Sequence, residues 1–303
     1  MQQVTAAPSP VRTKGPLVWL DMDQAALDDA YDQSKYAPNQ QQLGRRRAWL
    51  SEVARARLGA PKRFAYGSAA IEGLDLYPAR QPHAPIVVYT HGGAWRVGTA
   101  RENAFTAEMF VNAGAHFITL DFSNVTEVGG NLMVLADQVR RAVAWVYNNA
   151  ATFGGDRERF HVVGHSSGAH LTGVLLTTDW TRYGLPAKFI TTGVCSSGMY
   201  DLRPVRLSAR SKYVAFTDEI EQELSSQRHL DRLHCPIIVS HGTLETPEFQ
   251  RQARDFAATV KAAGKPVQLI VGEAYNHFEM AEVLGNPYGI TGHAALALMG
   301  LAR

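Results

Sequence analysis

Apolar positions along the chain recur with two different periods. Asp23 to Ser34 and Leu43 to Leu58 carry helix-spaced apolar residues and predict two amphipathic helices, separated by Tyr36-Ala37-Pro38-Asn39, where the proline ends the first. Phe64 to Tyr66 and Leu74 to Tyr77 read as short strands. Pro85-Ile-Val-Val-Tyr-Thr90 is a continuous apolar run of the kind buried on both faces of a sheet. Helix and strand then alternate: Glu102 to Asn112 helical, His116 to Asp121 extended, Asn131 to Thr152 helical, Phe160 to Val163 extended, Ser167 to Thr178 helical. Phe189 to Cys195, Pro236 to Ser240 and Val267 to Val271 are further strands, with a helix over Glu248 to Ala263 between the last two. In the long middle helix apolar residues fall at 132, 135, 136, 139, 142, 143 and 146, which puts them on one stripe.

Such alternation predicts an α/β architecture: a mostly parallel central sheet with helices on both faces. Residues 201 to 230 interrupt the rhythm without a strong apolar stripe. With the helices of about 19–60 they are expected to form a small cap at the carboxyl edge of the sheet, where open α/β sheets bind ligands. Residues 1–18 are expected to be a flexible tail, and 19–303 a single domain.

Composition narrows the classes of function. With 46% hydrophobic and 19% charged residues, the chain has material for a core and is not disordered as a whole. Its formal charge is +2, and the densest basic cluster, Arg45-Arg46-Arg47, reads as a solvated helix face, so no nucleic-acid partner is expected. Cys195 and Cys235 are too few for a disulfide framework, and no Cys/His spacing suits zinc; no metal or cofactor is expected, and a reducing cytoplasm is the default location. No run of 18 apolar residues offers a membrane span, and the first fifteen residues lack the apolar core of a signal peptide.

Gly164-His165-Ser166-Ser167-Gly168 fits G-x-S-x-G directly between a predicted strand and a predicted helix. A sharp strand-to-helix turn thrusts the Ser166 hydroxyl out of the sheet, and small residues at 164 and 168 let neighbouring backbone approach. A serine hydroxyl needs a positioned base, itself held in the right tautomer by an acid. His229, His234, His241 and His277 follow residue 200, and His277 is the candidate base because its loop, Glu273 to Phe278, follows the last strand. His241 also ends a strand, beside the turn residue Gly242. Glu245 is the candidate acid. Glu248, behind Pro247, looks like a first-turn helix carboxylate, and Asp201 like a turn or cap residue.

His91-Gly92-Gly93-Ala94-Trp95 follows the buried strand, and its glycines leave backbone N–H groups open to a developing oxyanion, together with the N–H of Ser167. His165 and His170 are read as packing residues. Cys195, Ser196 and Ser197 would line the pocket floor at most.

These residues resemble the α/β-hydrolase type of kynurenine formamidase (arylformamidase), within the hormone-sensitive-lipase-like esterases and amidases. The match rests on His91-Gly-Gly-Ala-Trp95, Gly164-His-Ser166-Ser-Gly168, Ser197-Gly-Met-Tyr-Asp-Leu-Arg-Pro204, Glu245-Thr-Pro-Glu-Phe-Gln-Arg-Gln252 and His277-Phe278, and covers about residues 20 to 285. The resemblance implies the α/β-hydrolase fold, oxyanion N–H groups from Gly93 and Ala94, and a small aromatic amide or ester as partner. Its acid is usually aspartate, so Glu245 departs from the pattern. Asp121 to Asn131 departs too, in a loop that borders the pocket in relatives. The activity implied is cleavage of an N-formyl or N-acyl arylamine through an acyl-enzyme, with Trp95, Tyr200 and Phe278 as candidate ring contacts. A carboxylesterase for short acyl or aryl esters is the alternative, and a non-catalytic binding module of the same fold a third reading. A homodimer is left open.

Overall fold

The computed structural model describes residues 14–302. A small hairpin, β1 (Leu17–Trp19) on β2 (Met22–Asp23), leads into α1 (Gln24–Ala30) and α2 (Gln40–Leu58). There follow β3 (Lys62–Ala65), β4 (Gly73–Tyr77), β5 (Ala84–Thr90), α3 (Ala107–Asn112), β6 (His116–Leu120), α4 (Leu132–Asn149), β7 (Gly155–His165), α5 (Ser167–Leu176) and β8 (Ile190–Ser196). The last third comprises α6 (Leu202–Leu207), α7 (Asp218–Leu224), β9 (Ile237–Gly242), α8 (Pro247–Ala262), β10 (Val267–Gly272), α9 (His277–Leu284) and α10 (Ile290–Leu298).

Among the described residues, β3 to β10 form one eight-stranded sheet in the order β10-β9-β8-β7-β5-β6-β4-β3. The pairs from β6 through β5, β7, β8 and β9 to β10 are parallel, while β4 runs antiparallel to both β6 and β3. All seven residues of β5 are buried, as its unbroken apolar run requires, and they feed both sides of the sheet. Ile86 and Val88 join one core cluster, Val87 and Tyr89 the other. The stripe of α4 packs into the first cluster with Leu132, Leu135, Ala136, Val139, Ala142, Val143 and Val146 all fully buried. Met109 and Phe110 of α3 and Ala295 and Leu296 of α10 fill the second. This is the α/β-hydrolase architecture.

Several elements differ from their expected form. The helix expected over Glu102 to Asn112 is a 3₁₀ stretch, Arg101–Thr106, followed by α3. Ser51 of α2 intrudes there: its hydroxyl donates to the Glu102 carbonyl (2.7 Å) and accepts from the Phe105 N–H (3.2 Å), taking a carbonyl that an α-helical ladder would use. The strand expected over Phe160 to Val163 is longer, because beyond an irregularity in register Gly155 and Asp156 pair with Ala84 and Pro85. Most of the tail expected over 1–18 lies outside the described residues. Its end is not loose: the Gly15 N–H donates to the Asp23 carboxylate at 2.8 Å, and Leu17–Trp19 pairs as β1.

The stretch 201–230 folds as α6, α7 and short 3₁₀ turns, and it leans on the amino-terminal helices. The Gln24 amide donates to the Leu207 carbonyl (2.8 Å), and Arg210 Nη2 to the Tyr31 carbonyl (3.1 Å). Among the described residues no helix is long and apolar enough to cross a membrane.

Candidate active site

Ser166 stands between the last residue of β7 and the first of α5, with φ +59° and ψ −128°. This is a region where L-residues are strained, and the surrounding structure must over-determine it. Two glycines do so. A Cβ at Gly164 would lie 2.4 Å from the Gly168 carbonyl oxygen, and one at Gly168 would lie 2.0 Å from the Thr90 carbonyl oxygen. The turn therefore closes tightly on the end of β5, and the Ser166 N–H is tied to the Ser196 carbonyl of β8 at 2.9 Å.

His277 meets this serine from 111 residues away, its Nε2 lying 2.8 Å from Ser166 Oγ. Its Nδ1 lies 2.8 Å from Glu245 Oε2, and both side chains are buried. A carboxylate only accepts, so Nδ1 carries the proton and Nε2 presents its lone pair to the serine hydroxyl. Glu245 is held in turn. Its Oε1 accepts from Ser197 Oγ at 2.6 Å and from the Gly242 N–H at 2.7 Å.

His277 is not in a loop, as its sequence context suggested, but is the first residue of α9. Asn276 caps that helix, accepting from the Phe278 and Glu279 N–H groups, while Glu279 accepts from the Asn276 N–H. The cap is also pinned from outside: Asn276 Nδ2 donates to Asn39 Oδ1 (2.8 Å), and Asn39 Nδ2 donates to Glu279 Oε1 (3.1 Å).

The other candidates are engaged elsewhere. Glu248 accepts from Arg251 Nε (2.6 Å) and Nη2 (2.8 Å) and from the Tyr31 hydroxyl (3.0 Å). Asp201 caps α6 and pairs with Arg228. The His241 Nδ1–H is directed at the Gly242 carbonyl (3.2 Å). His229 Nε2 donates to the Gln222 carbonyl at 2.8 Å. Among the described residues no hydrogen bond joins His234 to Ser166. His165 Nε2 donates to the His277 carbonyl (2.9 Å), and burial holds its pKa well below that of a free imidazole, so it is neutral. His170 is likewise pushed down to about 4 by burial; it donates through Nε2 to the Leu224 carbonyl.

Gly93, Ala94 and Trp95 all have positive φ, +116°, +55° and +61°, so the chain curls tightly after β5. Only glycine fits position 93, where a Cβ would lie 1.9 Å from the Val97 carbonyl oxygen. The backbone N–H groups of Gly93, Ala94 and Ser167 donate to no group among the described residues, whereas the Trp95 N–H is taken by Ser167 Oγ (3.2 Å). The Asp121–Asn131 segment braces this curl from behind. The Val125 N–H donates to the Trp95 carbonyl (2.8 Å), the Asn124 amide to the Arg96 carbonyl, and Phe122 stacks on His91 with ring centroids 4.3 Å apart.

A cleft of about 860 Å³ opens over Ser166 and His277, bounded by Gly92 to Ala94, the α1–α2 region and residues 209–213. Of the three candidate ring contacts only Phe278 lines it. Trp95 and Tyr200 are corrections. The Trp95 ring is buried against His170 and directs its Nε1–H at that imidazole (3.3 Å). Tyr200 is fully buried, stacked on Phe256 at 4.1 Å with its hydroxyl on the Cys195 carbonyl. Both rings are buried in these contacts and neither lines the cleft.

Ser197, read only as pocket floor, and Asn276 and Arg210, not singled out from the sequence at all, prove to support or line the site. Of these only Asn276 had a local signal, the Asn-x-x-Glu spacing of a capping box. Among the described residues no group of three or more His, Cys, Asp or Glu side chains is arranged to hold a metal ion.

The BD-FAE family model matches residues 74–185, the stretch that contains both the glycine curl and the elbow. A kynurenine formamidase of Danio rerio is 30% identical over 279 residues, 88% of this chain and 93% of that protein. One of Salmo salar is 30% identical over 227 residues, 72% and 75% of the two chains. An isoprenylcysteine alpha-carbonyl methylesterase of Arabidopsis thaliana is 23% identical over 71% of this chain and 56% of that protein. Among solved structures, an esterase of Pyrobaculum calidifontis superposes with TM-score 0.70 at 19% identity, over 92% and 98% of the two chains. Esterase LipW of Mycobacterium marinum does so with TM-score 0.68 at 18% identity, over 90% of each, and both share the fold. The likeness to the two fish proteins places the chain in its family: it belongs to the kynurenine formamidases of the α/β-hydrolase type.

Proposed function

We propose that the protein is a serine hydrolase that cleaves an N-formyl or N-acyl arylamine through an acyl-enzyme. The observation that carries this reading is the linear relay Glu245–His277–Ser166, both links 2.8 Å long, beside three unengaged backbone N–H groups. In this mechanism Ser166 Oγ attacks the scissile carbonyl while His277 Nε2 takes the hydroxyl proton. The carbonyl oxygen becomes an oxyanion, which Gly93, Ala94 and Ser167 N–H groups receive; Ser167 also opens α5, whose amino end favours negative charge. The tetrahedral adduct collapses as His277 returns its proton to the departing nitrogen, leaving the acyl group on Ser166. Water, activated by the same imidazole, then releases the acid. Glu245 keeps the ring oriented and stabilises its cationic form.

Residues 19–303 act as one unit in this reading, with the segments about 19–60 and 201–230 shaping the cleft. The free, buried Cys195 and Cys235 suit a reducing cytoplasm. An ester substrate is the second reading, favoured by the methylesterase relative, since the same residues serve it. Measuring kcat/KM for N-formylkynurenine, other N-acyl arylamines and 4-nitrophenyl acetate decides between them: preference for the formamide is expected, and strong preference for the ester overturns the amidase reading.

A further inference from the structure

Arg210 holds its guanidinium inside the protein with no acid to neutralise it. The residue is 9% exposed, and its Cζ lies 5.9 Å from the Tyr31 ring centroid, 5.5 Å from that of Trp95 and 5.9 Å from that of Phe249. Of the five N–H donors of a guanidinium, one is directed at the Tyr213 hydroxyl (2.9 Å) and one at the Tyr31 carbonyl (3.1 Å). Nε is buried without a partner. Both partners are uncharged, and no carboxylate among the described residues lies within 4.0 Å. Ring faces attract a cation but do not replace its hydration, so a buried unpaired guanidinium is unfavourable until an anion joins it.

The side chain lines the same cleft as Ser166 and His277. One of its flanking rings, Trp95, closes the glycine curl; another, Phe249, lies edge-on to the His277 imidazole at 5.0 Å. Arg210 thus stands one ring away from each half of the reacting centre. Arg47, also on the cleft wall, lies over the Phe278 ring at 5.7 Å, and among the described residues no acid stands in ion-pair reach of it. Of the four acids on the cleft wall, Asp29 pairs with Lys35, Asp28 accepts from the Gln24 amide, Asp32 from the Ser34 hydroxyl and Glu102 from the Thr99 hydroxyl.

The geometry points to Arg210 as the anchor for a carboxylate carried by the substrate, seated while the scissile carbonyl faces Ser166. The inference rests on the hydrolytic reading of that serine and adds the charge of the molecule it takes. A planar fork with spare donors suits a carboxylate better than a lysine ammonium would.

The test compares kcat/KM for N-formylkynurenine with that for its analogue bearing a primary carboxamide in place of the α-carboxylate, in the wild type, R210M and R210K. The wild type is expected to favour the acid by about 30-fold, the order of a charge-assisted hydrogen bond. In R210M the ratio should fall to within about 3-fold of unity, and R210K should recover part of it. No wild-type preference, or equal loss on both substrates in R210M and R210K, overturns the proposal. If the wild type cleaves neither formamide, the amide reading fails by itself. Calorimetric titration with kynurenine and its carboxamide then decides this one. Tighter binding of the acid, lost in R210M and partly kept in R210K, supports it; no difference between the two ligands overturns it.

Discussion

The Ser197 hydroxyl donates to Glu245 Oε1 at 2.6 Å, while the other oxygen of that carboxylate receives His277 Nδ1. Ser197 reaches this position through a positive φ of +57° directly after β8, and its own N–H is tied to the Ser240 carbonyl of β9 at 2.7 Å. Adjacent strands of the sheet therefore fix both the acid and its supporting donor.

Removing that donor should be felt in turnover. For S197A we expect kcat/KM to fall about 10-fold, the order expected from a hydrogen bond to a charged group. Unchanged kinetics with an intact fold would show that the Gly242 N–H alone suffices.

The two buried glutamates should separate cleanly. E245Q is expected to lower kcat by roughly 10³- to 10⁴-fold, because an amide in that place no longer enforces the imidazole tautomer. E248Q leaves the relay intact but breaks the pair with Arg251, so its main cost is stability, roughly 3 kcal/mol. Denaturant midpoints and steady-state rates together check this, and the reverse ordering of activities would reassign the acid.

At Ser166 function and backbone comfort should be opposed. S166A and S166G both lose covalent labelling by a fluorophosphonate and nearly all turnover. S166G should melt about 2 °C above S166A or more, since glycine accepts φ +59° without the strain, about 1 kcal/mol or more, that alanine keeps. Equal melting temperatures would mean that the elbow is not strained.

Stability should decline in mild acid. Burial lowers His161 to about 4, Arg159 adding to the effect, and lowers His170 to about 4, while His165 falls well below its free value. In the unfolded chain these imidazoles titrate near 6.5. Below that pH the unfolded state binds more protons than the folded one, so stability is full above about 6.5 and is lost as pH falls toward 4. Each imidazole adds up to about 1.4 kcal/mol per pH unit to the slope. Urea midpoints from pH 7.5 to 5 should show a shallower decline in H161Q; an unaltered slope would contradict the assignment.

What could be read in advance were features with local causes. A short unbroken apolar run of β-branched and aromatic residues suits a strand buried on both faces, as Pro85 to Thr90 is, and a glycine-flanked serine between strand and helix has few other conformations. Glu245 and His277 were within reach because their strands order them along one sheet edge. The misreadings lie where direction matters more than residue type. Trp95 and Tyr200 carry rings suited to an aromatic ligand, but a strand or curl offers two sides, and theirs is the interior. Ser197 gains its role from a residue 48 positions away, and Arg210 from the lack of an acid close by, which no spacing records. The stretch Glu273 to Phe278 reads as a loop after the last strand, although Asn276 and Glu279 carry the capping signature that starts a helix there.

The contact between Asn39 and Asn276 joins the first long helix to the cap of the helix that presents the imidazole. During translation the first asparagine leaves the ribosome long before the second is made, and the nucleophile is already in place between them. The base is made last, and the cap of its helix closes against an asparagine made far earlier, so the relay is complete only when these two distant segments have met.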